Sequence, residues 1–170
     1  ANNNEMQPSA MGSVLPFFKN KIITIGSEHF AFEGNTAHSK ETLSRSKILE
    51  NALLYINAPY LWGGKSPFGI DCSGLTQMVY KIAGKKLPRD AYQQAEIGTT
   101  LSFVEEAEDG DLAFFDNDEG SIIHVGILMN ENEIIHASGK VRIDKIDHQG
   151  IYNVDTNTYS HKLRLIKQII

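Results

Sequence analysis

The chain has 170 residues and a single cysteine, Cys72, so it has no intramolecular disulfide framework and no multi-cysteine zinc or iron–sulfur site. Positive charge is not in excess. Sixteen Lys and Arg stand against 21 Asp and Glu, a net charge of -5, which argues against a sequence-independent nucleic-acid binder. No apolar run approaches the ~20 residues that span a bilayer. The start carries neither the basic nor the apolar region of a signal peptide, and an Ala1-Asn2-Asn3-Asn4 beginning without Met suggests processing or an excerpt. Internal repeats are absent. What remains is globular: 41% hydrophobic and 22% charged, at a length that suits one domain with room for an appendage.

Along the chain, residues 1–13 read as a loop or disordered start. Lys21 to Ile25 and His29 to Phe32 are short β-prone runs around Gly26-Ser27, a hairpin that must pack on something because two strands alone are marginal. Residues 34–39 read as a linker. Leu49, Ala52, Leu53 and Ile56 then share a helical face, with Ser44 as N-cap and Pro59 as a stop. A second helix is predicted over 72–83 from the spacing of Leu75, Met78, Val79 and Ile82, and a third starts at Asp90, where Gln93 completes a capping box. After Gly98 the pattern is β: Leu112 to Phe115, Ile122 to Met129, Glu133 to Ser138, Val141 to Ile143 and Lys162 to Ile169. Helices first and antiparallel strands after predict an α+β domain.

A lone cysteine is ordinarily a buried structural thiol. Cys72 differs in position, because it opens the second helix. Unpaired N–H groups and the positive end of the helix dipole favour a thiolate there, and the same N–H groups can hold an oxyanion. A nucleophilic thiol needs a base, and His124 and His136 are the candidates. If their runs form a hairpin with an odd-length loop near 130–131, both imidazoles point to one face, so that one can meet the thiol while the other orients it. A two-residue loop would put them on opposite faces. Each histidine alone reads as a cross-strand core residue; with Cys72 they read as catalytic. Zinc ligation by the same three is disfavoured by the lack of a close-spaced ligand pair, so neither metal nor cofactor is expected.

At these residues the chain resembles the NlpC family of bacterial cell-wall cysteine peptidases. The resemblance runs from about Ser44 to Leu165 and rests on six blocks in the family's order. They are Pro59-Tyr60-Leu61-Trp62-Gly63-Gly64, Asp71-Cys72-Ser73-Gly74-Leu75, Leu87-Pro88-Arg89-Asp90, Gly110-Asp111-Leu112, His124-Val125-Gly126-Ile127 and Ile135-His136-Ala137-Ser138. It implies a papain-like fold, with N-terminal helices carrying the nucleophile packed on an antiparallel sheet. It implies Cys72 as nucleophile, His124 as general base and His136 as the orienting residue, with Tyr60 and Ser73 on the oxyanion or substrate side. Trp62, Arg89 and Asp90 resemble the branch specific for peptides with a free N-terminal L-alanine, where the aspartate binds the substrate ammonium. Ala91 stands where that branch often has serine, and Asp109 where the family commonly has proline. Asp90 also reads simply as an N-cap, and Arg89 as the partner of a surface acid.

The activity so implied is hydrolysis of the γ-D-glutamyl-L-diamino acid bond of peptidoglycan stem peptides or their fragments. The diamino acid, L-lysine or meso-diaminopimelate, stays open. The protein would be exported or lipid-anchored, or a cytoplasmic recycler of wall peptides, and a monomer. Residues 1–40 would be the remnant of a Src-homology-like bacterial barrel plus linker, ahead of a catalytic domain over 41–170. The same site also admits an amidase or acyltransferase, a non-catalytic wall-binding module, or a regulatory thiol independent of His124.

Overall fold

The computed structural model describes residues 6–37 and 43–170. The expected boundary at 40/41 and the last residues of the 34–39 linker lie outside them. The expected hairpin forms from β1 (Ile22–Ile25) and β2 (Glu28–Ala31), paired antiparallel from Ile22↔Ala31 to Ile25↔Glu28. Its side chains Ile22, Ile25 and Phe30 are exposed, as are Val14 and Phe17 ahead of it. The segment before it is tied down: Met11 packs against the main core, and Lys81 Nζ donates to Gly12 O at 2.8 Å.

Helix α1 (Arg45–Leu53) starts where Ser44 Oγ accepts the Lys47 N–H at 3.3 Å, the expected cap. Its buried face differs from the expected one. Ile48 and Ala52, continued by Tyr55, go inside, while Leu53 is 46% exposed and Leu49 only partly buried. A nine-residue helix offers two overlapping apolar stripes one residue apart, and packing decides between them. Ile48 wins because it fits against Gly110, where even a Cβ would come within 3.4 Å of its side chain. A minimal ribbon of β3 (Lys65–Ser66) and β4 (Gly69–Ile70) follows, then α2 (Cys72–Ile82) and the short α3 (Ala91–Gln94). Helix α2 buries Leu75, Met78 and Val79, as their spacing predicts, and Ile82 packs at the rim.

The sheet contains β5 (Thr99–Leu101), β6 (Leu112–Asp116), β7 (Ile122–Met129), β8 (Glu133–Ser138), β9 (Lys140–Ile146), β10 (Gly150–Asn153) and β11 (Thr158–Gln168). Its order is β10-β9-β8-β7-β6-β11-β5, antiparallel throughout, and a further pairing of β10 with β11 curls it into a closed ring with β5 outside. On β6 both faces are covered, by the helices outside and by the ring inside, which is why it reads as an unbroken apolar run. Leu112 and Phe114 turn to the helices, while Ala113 and Phe115 turn inward with Leu128, Ile134, Ile146, Ile151 and Ile166. The expected α+β order holds; β5 and β10 are additions to it.

Candidate active site

The start of α2 is built around one carboxylate. Asp71 Oδ1 accepts the Gly74 N–H and Oδ2 the Gly63 N–H, each at 2.7 Å. Arg89 closes on the same carboxylate with both Nη atoms and donates to Ser73 Oγ at 2.8 Å. Backbone approach is tight enough to require glycine: a Cβ at Gly74 would lie 2.4 Å from Gly64 O, and one at Gly64 would lie 2.3 Å from Gly69 O. The capped turn leaves Cys72 as its first residue, buried, with its thiol turned to β7. Burial pushes the thiol above its ordinary range, and the amide N–H groups of Val125, Ser73 and Cys72 only partly offset this. Burial therefore outweighs the expected helix-start effect.

The histidines come from the β7–β8 hairpin. Its register, Gly126↔His136 to Met129↔Glu133, leaves a three-residue loop at 130–132. The odd loop places His124 and His136 diagonally on one face, as the parity argument requires. Gly126 leaves room between them, since a Cβ there would come 3.0 Å from His136 Cβ. His124 Nε2 and His136 Nδ1 are 2.9 Å apart and buried, and His136 Nε2 lies 3.0 Å from Asp144 Oδ2. With its Nε2 engaged by His136, His124 has Nδ1 left for another partner. Burial, then His161 and His136, drive the His124 pKa well below that of free imidazole, so the ring is neutral and able to accept a proton.

Cys72 and His124 line one cleft of about 310 Å³ together with Tyr60, Ile123, Ala137, Ser138, Gly139 and His161. His161 on β11 lies one residue before the strand expected from Lys162 and is not among the expected site residues. It stacks on His124 with centroids 4.1 Å apart and planes 23° from parallel. One nitrogen each of His124, His136 and His161 fall within 4.8 Å of one another. Stacked rings direct their in-plane lone pairs along nearly parallel lines, and both nitrogens of His136 already have partners, so the three do not converge on one ion. The arrangement is a hydrogen-bonded relay with a ring packed over it.

Burial lowers the His161 pKa to about 4. The unfolded chain takes up that proton near pH ~6.5, so its share of stability is complete above that pH and declines as the pH falls toward about 4. His161→Phe keeps the stack and removes the titration. Melting temperatures from pH 7 to 4 should therefore fall less steeply in the variant, and equal slopes would show that His161 has no part in acid destabilisation.

The other expected residues are distributed as follows. Tyr60 is at the cleft, its hydroxyl pKa raised by burial and by the nearby Cys72 and Asp71. Ser73 and Arg89 are tied to Asp71, so the guanidinium has a buried partner instead of the surface acid considered above. Asp90 is exposed and closes the expected capping box, with its N–H donating to Gln93 Oε1 at 3.2 Å. Trp62 stands 83% exposed on the 59–64 segment, outside the residues lining the cleft.

The NlpC/P60 family matches residues 57–160. The gamma-D-glutamyl-L-lysine dipeptidyl-peptidase of Bacillus subtilis (strain 168) is 33% identical over 120 residues, which are 69% of this chain and 40% of that protein. The chain thus spans about two-fifths of the length of that relative. The solved NlpC/p60 domain of the peptidoglycan hydrolase SagA is 29% identical with a TM-score of 0.59, over 74% of this chain and 98% of that one. An NlpC/P60 family protein from Bacillus cereus ATCC 10987 shares the fold with a TM-score of 0.69 at 22% identity, over 91% of this chain and 52% of that one.

Proposed function

The chain belongs to the NlpC/P60 family, and we propose that it is a cysteine peptidase cleaving the γ-D-glutamyl-L-diamino acid bond of peptidoglycan stem peptides. The observation that carries this is the cleft itself: a helix-start cysteine and an imidazole line it together, and a second buried imidazole holds one nitrogen of the first. In this reading Cys72 is the nucleophile and His124 the general base. The thiol pKa is raised and the imidazole pKa lowered, so the pair rests neutral, and the proton passes from sulfur to His124 as sulfur attacks the γ-carbonyl. The Cys72 N–H and the Tyr60 hydroxyl hold the resulting oxyanion. The C–N bond then breaks as His124 gives its proton to the leaving amine. Water, deprotonated by His124, hydrolyses the thioester and regenerates the thiol. His136 orients His124 throughout.

The preferred substrate carries a free N-terminal L-alanine, its ammonium paired with Asp90 at the rim, beside Ser73 and Arg89. Support comes from the Arg89-Asp90 pair at the family position and from the exposure of Asp90 next to the α2 cap. In this reading Trp62, exposed on the 59–64 segment, also contacts the substrate. The β1–β2 hairpin is the end of a Src-homology-like barrel whose other strands cover its exposed apolar side chains, and the protein acts outside the cytoplasm. Among the described residues no helix is long and apolar enough to cross a membrane.

The test compares L-Ala-γ-D-Glu-L-Lys with its N-acetylated form and with glycan-linked stems, by mass spectrometry of the products. The free-amine peptide should be cleaved in preference. Asp90→Asn should lower kcat/KM for it about 10–100-fold, the scale of one charge-assisted contact, and leave the acetylated peptide unchanged. Equal cleavage of free and blocked amines would remove the ammonium site, and cleavage of none of them would overturn the substrate assignment.

A further inference from the structure

Asp144 is a buried carboxylate outside the expected site residues, and the mechanism above does not use it. It lies on β9 opposite Ile134, so the pleat puts it on the same face as His136 and diagonal to it. Its side chain is 1% exposed. Oδ2 faces His136 Nε2 at 3.0 Å, and Arg142 brackets the carboxylate with Nε 2.7 Å from Oδ2 and Nη2 2.7 Å from Oδ1. Arg142 is anchored in turn by Asp155 at 2.8 Å and Asn153 at 3.3 Å. Burial opposes ionisation of Asp144, but the hydrogen bonds from His136 and Arg142 prevail and hold its pKa below the ordinary carboxylate range.

An ionised carboxylate only accepts hydrogen bonds. His136 must therefore carry a proton on Nε2. In the neutral ring this leaves Nδ1 as a bare acceptor, and the only hydrogen that can lie between it and His124 is the one on His124 Nε2. His124 Nδ1 is then unprotonated, which is the form a general base requires. We propose that Asp144 is the positioning residue that sets the tautomers of both histidines and so presents an unprotonated His124 Nδ1 to the Cys72 thiol. The proposal rests on the reading of His124 as the base for Cys72. It places a fixed negative charge one residue beyond the third member of the site, where a Cys-His-His set alone has none.

Asp144→Asn is a stringent variant because the carboxylate is bracketed. Turned one way, the new amide NH₂ faces His136 Nε2 and forces the opposite tautomer. Turned the other way, it opposes the Arg142 Nη2 donor. The experiment is ¹⁵N–¹H correlation of the imidazole rings in the reduced full chain, with steady-state kinetics alongside. The wild-type spectrum should show His136 and His124 each protonated at Nε2 and bare at Nδ1. Asp144→Asn and Asp144→Ala should lose that pattern, and kcat for the murein peptide should fall on the order of 10²–10⁴-fold, the range for misplacing a tautomer, with KM within about twofold.

A wild-type spectrum with either histidine protonated at Nδ1 alone overturns the proposal, whether or not the variants fold. So does unchanged kcat in a folded variant that cleaves peptide. A chain that hydrolyses none of the peptides but shows the expected tautomers, lost in Asp144→Asn, would leave the positioning role standing and remove only the substrate reading.

Discussion

Cys72→Ala should abolish hydrolysis of L-Ala-γ-D-Glu-L-Lys, with loss of at least about 10⁴-fold in kcat, because it removes the chain's single thiol and with it the acyl intermediate. The side chain lost is small, so melting temperature should stay near that of the parent. Cys72→Ser should be nearly as inactive, since a hydroxyl is far harder to deprotonate than a thiol whose proton His124 already takes with difficulty. The thiol can be followed without substrate. Burial lifts the Cys72 pKa and depresses that of His124, so there is no standing ion pair near neutrality. Alkylation by iodoacetamide should therefore climb steadily from pH 6 to pH 9 and inactivate at one equivalent. A rate already at its plateau by pH 6 would mean that a thiolate–imidazolium pair exists at rest. Substantial turnover in Cys72→Ala would refute the cysteine mechanism outright.

The part of the site that could be read from the sequence is the part determined by short-range periodicity. Cys72 could be placed because Asp71 and the Leu75-Met78-Val79-Ile82 spacing mark a helix start. The two histidines could be paired because a three-residue Asn130-Glu131-Asn132 loop makes the hairpin sum even. Asp144 obeyed the same arithmetic one hairpin later. The Ser138↔Lys140 pairing around Gly139, whose φ is +69°, puts Asp144 on the face of His136. Reading Val141 to Ile143 as the whole strand stopped one residue short of it. His161 gave no such signal. It reaches His124 across β6, where Phe115 pairs with both His124 and Leu163, a contact between strands far apart in sequence that no local pattern encodes. The α1 face was ambiguous for a different reason: in a short helix two stripes score alike, and the choice falls to a partner outside the segment. Burial likewise reverses the thiol pKa expected from the helix start, because the dipole acts locally whereas desolvation depends on everything packed above it.

Asp71→Ala should cost about 3 kcal/mol of stability, the combined scale of a lost N-cap and a broken, mostly buried ion pair, discounted because Arg89 is partly exposed. The carboxylate serves four partners at once, Gly63, Gly74, Ser73 and Arg89. Its removal leaves the Gly63 and Gly74 N–H groups without acceptors and takes from the Arg89 guanidinium its hydrogen-bonded carboxylate. For a chain of this length the melting temperature should fall by roughly 10 °C. Asp71→Asn separates the contributions, since its carbonyl can still cap Gly74 while the charge facing Arg89 is gone, so its loss should be intermediate. In the double variant Asp71→Ala/Arg89→Ala the effects should be well short of additive, because the second substitution removes the cation that the first had stranded. The pH dependence has a definite sign. Burial works against ionisation of Asp71, but Arg89 and the Gly74 and Gly63 N–H groups lower its pKa below the ordinary value. Its contribution is therefore complete above about pH 4 and is lost as the pH falls through the depressed value, so the gap between parent and Asp71→Ala should close in acid. Function is coupled to the same carboxylate, because the turn it caps aims both the Cys72 thiol and the N–H proposed for the oxyanion. A variant within 1 kcal/mol of the parent (~3 °C) with unchanged kcat would show that the α2 start holds its shape without Asp71.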